Sequence, residues 1–485
     1  MNNITMPVRE LKTALTGLSK VISRRASLPV LQHARIDRAG DGATTISATD
    51  LDAFASYRFA EGSEGKAESI LVPFTALNSI VKHCGADETI GFEKSGREHA
   101  LVYYQIGGHA AEQRVASLPS DEWPPTPKVN GERVLVDGAL RSALLEAFKC
   151  VSSDESRYVL RGAFIDVSDK RSHYIVGTDG RHLYASNSFS VPIAASVIMP
   201  DHRFLGWKGF GQDGDWGLRI ESDKSGKPAY IELTSFGWTF VSKAIDGNYP
   251  NWRQVLPDLS GLKTSIKVST NALAEFAEII GKLPSDEINH SVGLKLDRPG
   301  KLVLFGRASG TDKPTEVGFS AVEVTGGPVT VLLNRNYLVK ALRFGLNEIQ
   351  IQDALSPVRC TDQSGRQLII MPLRMDGATP QPVPTQQPSS PPQKAAQASP
   401  SLGDNNMQNG NKDGQSAASP RDSNKTAIET AVEQIDAAKA SIGTALGSLN
   451  GAVKTLRQAQ REQRGTEKEI QSVRSTLQTL QRVKI

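Results

Sequence analysis

The sequence predicts an α+β fold made of three copies of one domain, followed by a disordered linker and a helical tail. Two observations carry this prediction: landmarks recur at constant spacing through the first 375 residues, and the composition changes sharply after Met375. Each copy supplies a helix pair and strands for an antiparallel sheet, which is a stable layering. With 485 residues, of which 39% are hydrophobic, the chain is also too long for a single core.

The first landmark is a helical pattern that opens each copy. It reads PVRELKTALTGLSKVIS, then VDGALRSALLEAFKCVS, then STNALAEFAEIIGKLP, which makes Leu11, Leu140 and Leu273 equivalent. These leucines stand 129 and 133 residues apart. Recurrence at a long fixed period indicates repeated structural units.

Two further landmarks keep this spacing. A strand closes on a Thr-Asp pair in ISATDLDAFAS, in YIVGTDGRHLYAS and, more loosely, in ASGTDKPTEVGFS, so that Thr49, Thr178 and Thr311 would be equivalent. A strand end, an amphipathic helix and a strand follow in VPFTALNSIVKHCGADETIGFE, MPDHRFLGWKGFGQDGDWGLRIE and LLNRNYLVKALRFGLNEIQIQ.

Together the landmarks predict six helices and three domains, over residues 1–128, 133–257 and 262–375. Such an array leaves an unpaired strand edge at each end. Because open edges are normally covered, pairing with a second copy would close a ring of which one chain is half.

The tail has two parts. Residues 376–425 are rich in Pro, Gln, Ser, Asn and Gly, which predicts a disordered linker. Apolar residues then follow heptad spacing from Ile428 to Leu456 and again from Ile470 to Leu480, which predicts a helical segment over 426–485. That segment would form a coiled coil with another chain or a hairpin on itself. We expect it to have a tethering or regulatory role.

Composition limits the compartment and the chemistry. The apolar runs are too short to span a membrane and the N-terminus lacks a leader pattern, which predicts a cytoplasmic protein. Cys84, Cys150 and Cys360 are odd in number and far apart, as expected for buried thiols in a reducing compartment. No phosphate-binding loop, nucleophile elbow or metal-ligand spacing is found, so we expect no enzyme activity, no catalytic residue, no metal and no cofactor.

The predicted helices carry more basic than acidic side chains. A basic lining would hold the phosphate backbone of duplex DNA without reading its sequence. For any single residue an ordinary solvated helix face is the alternative, but repetition over three copies favours the lining. The candidates are Lys20, Arg24, Arg25, Lys82, Arg141, Lys149, Arg203, Lys208, Lys282, Arg335, Lys340 and Arg343.

Four groups of segments resemble a known family. LPVL with TTISATDLDAFAS, DESRYVLRGAFIDV with VGTDGRHLY, AIDGNYPNWRQVLP, and QLIIMPLRM are similar to the corresponding segments of the bacterial DNA polymerase III beta subunit, the DNA sliding clamp, over residues 1–375. The resemblance implies three clamp-type domains, a head-to-tail homodimer around duplex DNA and a processivity role in DNA replication. Arg157 and Tyr158, with Arg25, would then lie where the family touches DNA.

The resemblance also implies a groove between the second and third domains. There a short hydrophobic peptide of a polymerase or of the clamp loader would dock, with Leu or Phe anchors on apolar walls and Arg374 fixing the backbone. The positions that correspond are Leu160, Thr178, Gly180, Arg181, His182, Leu183, Pro250, Val255, Ile369, Met371, Pro372, Leu373 and Arg374.

Three departures from the family pattern bear on partner choice. The usual His-Arg order is reversed as Arg181-His182, Gln254 replaces an arginine, and the tail continues past Met375, where the family ends. An alternative function is therefore a clamp-fold adaptor or partner-sequestering protein whose coiled coil drives assembly. The sequence leaves open which partners bind and whether chromosomal or mobile-element replication is served.

Overall fold

The structure is a computed structural model that describes residues 3–374, with gaps at 24–25, 27, 188, 212–213, 299–300 and 312. All described residues belong to one unit of the chain, Met1–Val383. The predicted linker over 376–425 and the predicted helical tail over 426–485 lie outside the described residues.

The first repeat opens on the helix that its landmark predicted. This helix buries Leu11, Leu15 and Leu18 on one face. In chain order the elements are β1 (Ile4–Pro7), α1 (Val8–Leu18), β2 (His33–Arg38), β3 (Thr44–Thr49), β4 (Ala53–Arg58), β5 (Glu68–Pro73), α2 (Phe74–Val81), β6 (Thr89–Lys94), β7 (His99–Ile106) and β8 (His109–Ala116).

The second repeat follows the same order of strands. Its elements are β9 (Val134–Val136), α3 (Gly138–Phe148), β10 (Gly162–Asp166), β11 (Tyr174–Thr178), β12 (His182–Ser186), β13 (Val197–Pro200), β14 (Trp216–Ser222), β15 (Pro228–Ser235) and β16 (Trp238–Lys243).

The third repeat inserts one extra strand, β21. Its elements are β17 (Thr264–Val268), α4 (Leu273–Lys282), β18 (Ser291–Arg298), β19 (Lys301–Gly306), β20 (Thr315–Phe319), β21 (Val322–Thr325), β22 (Val329–Asn334), α5 (Arg335–Arg343), β23 (Glu348–Ile351), β24 (Val358–Thr361) and β25 (Gln367–Ile370).

Over the described residues the strands form four antiparallel sheets. Their orders are β1-β6-β7-β8, β5-β2-β3-β4-β16-β15-β14-β9, β13-β10-β11-β12-β25-β24-β23-β17-β21 and β20-β19-β18-β22. Each repeat gives four strands to each of two sheets, with β21 added in the third, and the two long sheets run from one repeat into the next. The predicted α+β class and the repetition are confirmed.

Two strand pairs join neighbouring repeats. In the first joint β4 pairs with β16, with Tyr57 opposite Trp238. In the second joint β12 pairs with β25, with Leu183 opposite Ile369. Strands β8 and β20 occupy the ends of the first and last sheets.

Helix ends follow local capping signals. The Asp137 carboxylate accepts a bond of 2.9 Å from the Leu140 amide at the start of α3. Asn334 accepts one of 2.9 Å from the Asn336 amide at the start of α5. Such caps satisfy amides that a helix leaves without partners, so these helices begin where the sequence places Asp or Asn before an apolar stripe.

The prediction of a helix after Pro200 is wrong. Residues 201–211 form turns, so Arg203 and Lys208 lie on turns and not on a helix. Three glycines in this stretch weaken helix formation, and Gly211 has φ of +69°. The Trp207 ring also folds back over Gly209, where a Cβ atom would lie 2.2 Å from it.

The expected equivalence of Thr311 is also wrong. Thr49 and Thr178 end β3 and β11, and their hydroxyls donate to the carbonyls of Ala53 and His182 at 2.8 and 2.6 Å. Thr311 lies in the loop after β19 and donates to the Ala308 carbonyl at 2.8 Å. The third copy therefore lacks this Thr-Asp turn, because β19 ends earlier and a longer loop precedes β20.

Candidate functional site

The Thr-Asp-Gly turn between β11 and β12 is held by its own side chains. The Thr178 hydroxyl accepts from the Gly180 amide at 3.0 Å. One Asp179 oxygen accepts from the amides of Arg181 and His182, at 2.8 and 3.0 Å. Gly180 has φ of +85°, which glycine adopts without strain. The turn therefore holds Arg181 exposed and His182 buried.

His182 is at the centre of a polar network across the second joint. Its Nδ1 lies 2.8 Å from the same Asp179 oxygen, and its Nε2 lies 3.0 Å from the Lys340 ammonium. An ammonium can only donate, so Nε2 accepts and Nδ1 carries the proton. The ring stacks on Tyr337, with centroids 4.0 Å apart. This geometry requires a neutral imidazole.

The pKa values agree with that assignment. Burial lowers the pKa of His182 below its ordinary value, and the Lys340 charge acts in the same direction against Asp179. Burial acts to raise the pKa of Asp179, but hydrogen bonds from the His182 ring and from the Arg181 and His182 amides outweigh it and hold that pKa well below its usual range. Burial, with Asp179 beside the hydroxyl, raises the pKa of Tyr337 to about 12.

Below the turn lies a small apolar cluster, which we name the Trp252 cluster. It is separate from the main core, and Phe164, Tyr249 and Leu256 pack against it. Leu183 and Ile369 are almost fully covered, at 4% and 1% exposure. The buried members are Val176, Leu183, Ala185, Trp252 and Ile369.

Trp252 and its neighbour are fixed by one buried carboxylate. An Asp166 oxygen accepts from the Trp252 indole at 2.9 Å and from the Arg253 guanidinium at 2.6 Å. Burial acts to raise the pKa of Asp166, but hydrogen bonds, first from Ser168 and then from Trp252 and Arg253, lower it below its usual value. The short 3-10 helix Trp252–Val255 is thereby set beside the second joint.

The predicted groove residues fall into two sets. Leu160, Thr178, His182, Leu183 and Ile369 are buried, and Gly180 supplies the turn. Strand β25 is tied to the turn where the Met371 amide donates to the Arg181 carbonyl at 3.1 Å. The set at the surface is wholly or partly exposed: Arg181, Pro250, Val255, Met371, Pro372, Leu373 and Arg374.

Val255 and Met371 are the large aliphatic side chains of this set that are exposed, at 39% and 42%. The structure thus gives the predicted site a buried apolar floor with two accessible apolar groups, bordered by the exposed Arg181 and Arg374. Exposed apolar groups beside a well-packed cluster are typical of peptide-docking surfaces.

A second network crosses the same joint. Glu146 of α3 accepts from the Tyr184 hydroxyl at 2.6 Å and from Arg366 at 2.9 Å. Burial raises the pKa of Glu146, although Tyr184 and Arg366 act to lower it. Asp362 holds the same guanidinium at 2.6 Å. The two repeats are therefore connected by an ion pair as well as by strands.

Sequence reasoning missed Asp179, Tyr337, Trp252, Glu146 and Arg366. The Pro-Asn-Trp turn was a usable signal for Trp252, since a tryptophan among polar residues needs a place to pack. The contacts of Tyr337 with Asp179 and of Arg366 with Glu146 gave no local signal, because the partners lie on distant segments.

The predicted DNA-contacting side chains differ in how far they are exposed. Arg24 and Arg25 lie outside the described residues. Lys20 and Arg141 are partly buried, and Tyr158 is 57% exposed. The others with exposed side chains are Lys82, Lys149, Arg157, Arg203, Lys208, Lys282 and Arg343.

Several of these basic groups bond to backbone carbonyls. Arg335 donates to the Leu283 carbonyl at 2.7 Å at the end of α4. Lys340 donates to the Lys149 carbonyl at 2.5 Å, across the second joint. Arg141 donates to the Gly214 carbonyl and Arg203 to the Lys20 carbonyl. These four side chains therefore stabilise the fold, whatever else they bind.

Two features are absent from the described part of the chain. No helix there is long and apolar enough to cross a membrane. Among the same residues no three His, Cys, Asp or Glu side chains are grouped so that they could hold a metal ion.

Comparisons with known proteins show what the chain is similar to. No protein-family model matches it. It is 24% identical to the beta sliding clamp of Synechococcus elongatus over 395 residues, covering 76% of this chain and 97% of the relative. It is 25% identical to the beta sliding clamp of Caulobacter vibrioides over 394 residues, covering 77% of this chain and 100% of the relative.

Solved structures share the fold over the same extent. The DNA polymerase III subunit beta of Pseudomonas aeruginosa superposes with a TM-score of 0.66 at 22% identity, covering 77% of this chain and 100% of that one. Relatives matched over nearly their whole length, and a common fold, agree with the resemblance seen in the sequence. The chain is therefore similar, over about three quarters of its length, to bacterial beta sliding clamps, and it shares the fold of solved DNA polymerase III beta subunits.

Proposed function

We propose that this protein is a DNA sliding clamp, a processivity factor that holds duplex DNA by encircling it and catalyses no reaction. The observation that carries the proposal is the joint between repeats, made twice within the chain by equivalent strands, β4 with β16 and β12 with β25. The names of the relatives support the same role. The three domains span 1–128, 133–257 and 262–375, and the site of action is the cytoplasm.

The ring forms from two chains, head to tail. By strand order β8 of the first repeat is the counterpart of β16 and β25, and β20 of the third repeat is the counterpart of β4 and β12. Each of these two strands has a neighbour on one side only among the described strands. Pairing β20 of one chain with β8 of the other would repeat the internal joint twice and cover both open edges.

Duplex DNA occupies the centre of the ring. The exposed basic groups, among them Lys82, Lys149, Arg157, Lys208 and Arg343, suit contacts with phosphates that position the duplex without reading its bases. Tyr158, beside Arg157, adds an exposed aromatic ring to this set. Contacts of this kind are individually weak and salt-dependent, which allows the ring to slide.

Polymerases and the clamp loader bind at the surface above the Trp252 cluster. A short peptide with Leu or Phe anchors would cover Val255 and Met371, the exposed apolar groups there. Arg181 and Arg374 would hold its backbone or acidic groups. Holding partners at the template raises their effective concentration, which is how a clamp without catalytic groups promotes synthesis.

Topological retention tests the proposal. The protein is loaded on nicked circular DNA by a clamp loader and then followed by gel filtration, before and after a restriction enzyme linearises the circle. We expect retention on circles and rapid loss from linear DNA, because a ring escapes only over an end. Equal loss from both forms would contradict encirclement.

Peptide affinity tests the docking surface separately. We expect Met371→Ala to weaken binding of a hydrophobic Leu/Phe-anchored peptide by about tenfold or more, as truncation of an anchor contact does. Leu135→Ala is the matched control, since Leu135 is also exposed, at 60%, and lies on β9, in a different sheet from β12 and β25. Equal affinities of the two variants for the peptide would contradict a role of Met371 in the docking surface.

A further inference from the structure

A cavity of about 750 Å³ lies in the third repeat, beside the last described residues. Apolar groups line part of it, among them Ile288, Phe305, Leu332, Pro314 and Leu373. Ile288 is 86% exposed, an unusual degree for a large aliphatic side chain. The same place can be compared in all three repeats.

The residue equivalent to Ile288 is covered in the other two repeats. Val30, Val159 and Ile288 each lie three residues before the first residue of an equivalent strand, β2, β10 or β18. Val30 is 7% exposed and Val159 is partly buried. What differs in the third repeat is therefore the cover over this position.

The cover in the first two repeats is the chain that leaves the repeat. In each of these repeats the covering segment begins with a hydrogen bond to a carbonyl of an edge strand, two residues before that strand ends. The Ser117 hydroxyl donates to the Leu71 carbonyl at 2.7 Å in the first repeat. The Ile245 amide donates to the Ile198 carbonyl at 3.0 Å in the second.

The third repeat bonds to the equivalent carbonyl at the same interval. The Leu373 amide donates to the Leu332 carbonyl at 2.7 Å, on the outer edge of β22. Residues 117, 245 and 373 are spaced by 128 in both steps. The chain thus reaches the cavity along the route that the first two repeats use.

The covering segments place large side chains over the sheet. In the first repeat Trp123 is 6% exposed and clusters with Val30, Leu31 and Leu71. In the second, a Cβ atom at Gly247 would lie 2.6 Å from Val159.

The second covering segment also carries aromatic contacts. Tyr249 stacks on Phe164 with centroids 4.6 Å apart, and Trp252 completes the cluster named after it. The counterpart of Phe164 is Gly293, by its place in the strand, and the Phe305 ring lies over that glycine.

The sequence after Arg374 resembles the second covering segment. It reads MDGATPQPV over 375–383, and Asp376, Gly377 and Pro380 repeat the spacing of Asp246, Gly247 and Pro250. The hydrogen-bonded residues Ile245 and Leu373 are 128 residues apart, whereas Asp246 and Asp376 are 130 apart. The third repeat therefore has two extra residues before the turn. At this spacing Tyr249 is replaced by Thr379 and Trp252 by Pro382, both small enough for a site where Phe305 already fills part of the space.

We propose that residues 375–383 of the same chain dock in this cavity, covering Ile288 and extending the edge of β22. The segment supplies Met375, Pro380 and Val383 to an apolar lining, and addition to an open strand edge is a common mode of peptide docking. The tail would then leave the repeat through this cavity, beyond Leu373 and Arg374, which line it. The inference does not depend on the clamp function.

Thiol labelling of the full chain tests the proposal. Ile288→Cys and Leu355→Cys are made singly, because the native Cys84, Cys150 and Cys360 are buried. Without a cover, Ile288→Cys would react faster, since Ile288 is 86% and Leu355 is 67% exposed. With the segment docked, we expect Ile288→Cys to react at least about tenfold more slowly. Equal or faster labelling would overturn the proposal.

Crosslinking identifies the occupant. Ala378→Cys is combined with Ile288→Cys or, as control, with Leu355→Cys, and each pair is oxidised with oxidised glutathione at several dilutions. We expect an intrachain disulfide at least about tenfold faster with Ile288→Cys, at a rate independent of protein concentration. Equal rates for the two pairs, or mainly interchain disulfides whose rate rises with concentration, would overturn docking within one chain.

Discussion

The two joints between repeats share a backbone plan and differ in the side chains that fill it. Thr49 and Thr178 close equivalent turns, and Asp50 and Asp179 each accept the amides that follow them. Leu51 and Gly180 occupy the same left-handed position, with φ of +84° and +85°. The repeat therefore dictates the turn, and the residues around it decide what each joint can do.

The first joint is filled by aromatic rings. Trp238 of β16 packs edge-on to Trp207, with centroids 5.4 Å apart, and lies 4.9 Å from Tyr57 across the joint. Gly17 of α1 is close enough that a Cβ atom there would lie 2.5 Å from Trp238. Apolar burial therefore contributes much of the stability of this joint, and ion pairs of Lys243 with Asp52 at 3.2 Å and of His202 with Asp50 at 3.9 Å also cross it.

The second joint is filled by ionisable groups. His182, Asp179, Lys340 and Tyr337 form one network, and Glu146, Tyr184, Asp362 and Arg366 form another. The proposed partner-binding surface lies over this joint and not over the first. The difference teaches that one backbone plan accommodates a mainly aromatic filling in the first joint and two polar networks in the second.

The largest effect on stability is expected from removing a buried aromatic ring from the first joint. Trp238 is 2% exposed, so Trp238→Ala should lower the free energy of unfolding by about 3–5 kcal/mol through lost burial and a cavity. Urea unfolding measures this. Phe236→Ala, at a nearby aromatic that is 69% exposed, is the control and should cost less than about 1 kcal/mol. Similar losses for both would refute the aromatic account.

A smaller effect is expected from the ion pair of the second joint. The side chains of Arg366 and Glu146 are 27% and 13% exposed. Arg366→Ala should cost about 1–3 kcal/mol, because it leaves a half-buried carboxylate without its cation. The loss should shrink as the pH falls, and this should begin above pH 4.5, because burial raises the pKa of Glu146 above that ordinary value. Lys282→Ala, in an exposed pair with Glu278, should cost under about 0.5 kcal/mol.

In the turn that both joints share, two substitutions should have opposite effects on the free energy of unfolding. Gly180→Ala should destabilise by about 1–2 kcal/mol, since a side chain disfavours positive φ and its Cβ atom would lie 2.8 Å from Arg157. Leu51→Gly should stabilise by up to about 1 kcal/mol, because it relieves the same strain in the first joint. Denaturant midpoints measure both. Effects of the same sign would mean that the two turns are not equivalent.

The smallest effect is expected from titrating His182. Its folded pKa lies below the unfolded value of 6.5, so the unfolded chain binds the extra proton first. The stability from neutral His182 is therefore present above pH 6.5 and is lost as the pH falls through the lowered pKa. We expect His182→Gln to remove this part of the pH dependence of unfolding. An unchanged profile would contradict the assignment of a neutral ring bonded to Lys340.

Much of the fold could be predicted because its signals are local. The helical stripes around Leu11, Leu140 and Leu273 and the Thr-Asp turns at Thr49 and Thr178 are set by residues close in sequence. The missing helix after Pro200 shows the limit. Its apolar spacing is helical, but three glycines and the packing of Trp207 decide for turns.

The site could be predicted only in outline. Resemblance indicated Leu183 and Met371, but not that the first would be buried and the second exposed. Lys340 and Arg335 were assigned to DNA from their charge, whereas both donate to carbonyls on distant segments. Such partners depend on how sheets join, and that register is not encoded by neighbouring residues.

The comparison of joints identifies the backbone groups of a third joint. In the first joint the Arg58 amide donates to the Gly237 carbonyl and the Lys243 amide to the Asp52 carbonyl, so alternate residues of β4 face its partner strand. By the strand equivalence the amide of Glu316 in β20 faces outward. Glu316→Pro removes this donor while leaving the pairing of β20 with β19, and Glu316→Ala keeps it.

Native mass measures the proposed ring directly. The full chain has a mass of 52.3 kDa, and we expect a species of twice that mass for the protein and for Glu316→Ala. Glu316→Pro should shift the dimer dissociation constant upward by about tenfold or more, so that a single-chain species is seen on dilution. A single-chain mass for the unaltered protein, or equal dissociation of the two variants, would contradict a ring closed through β8 and β20.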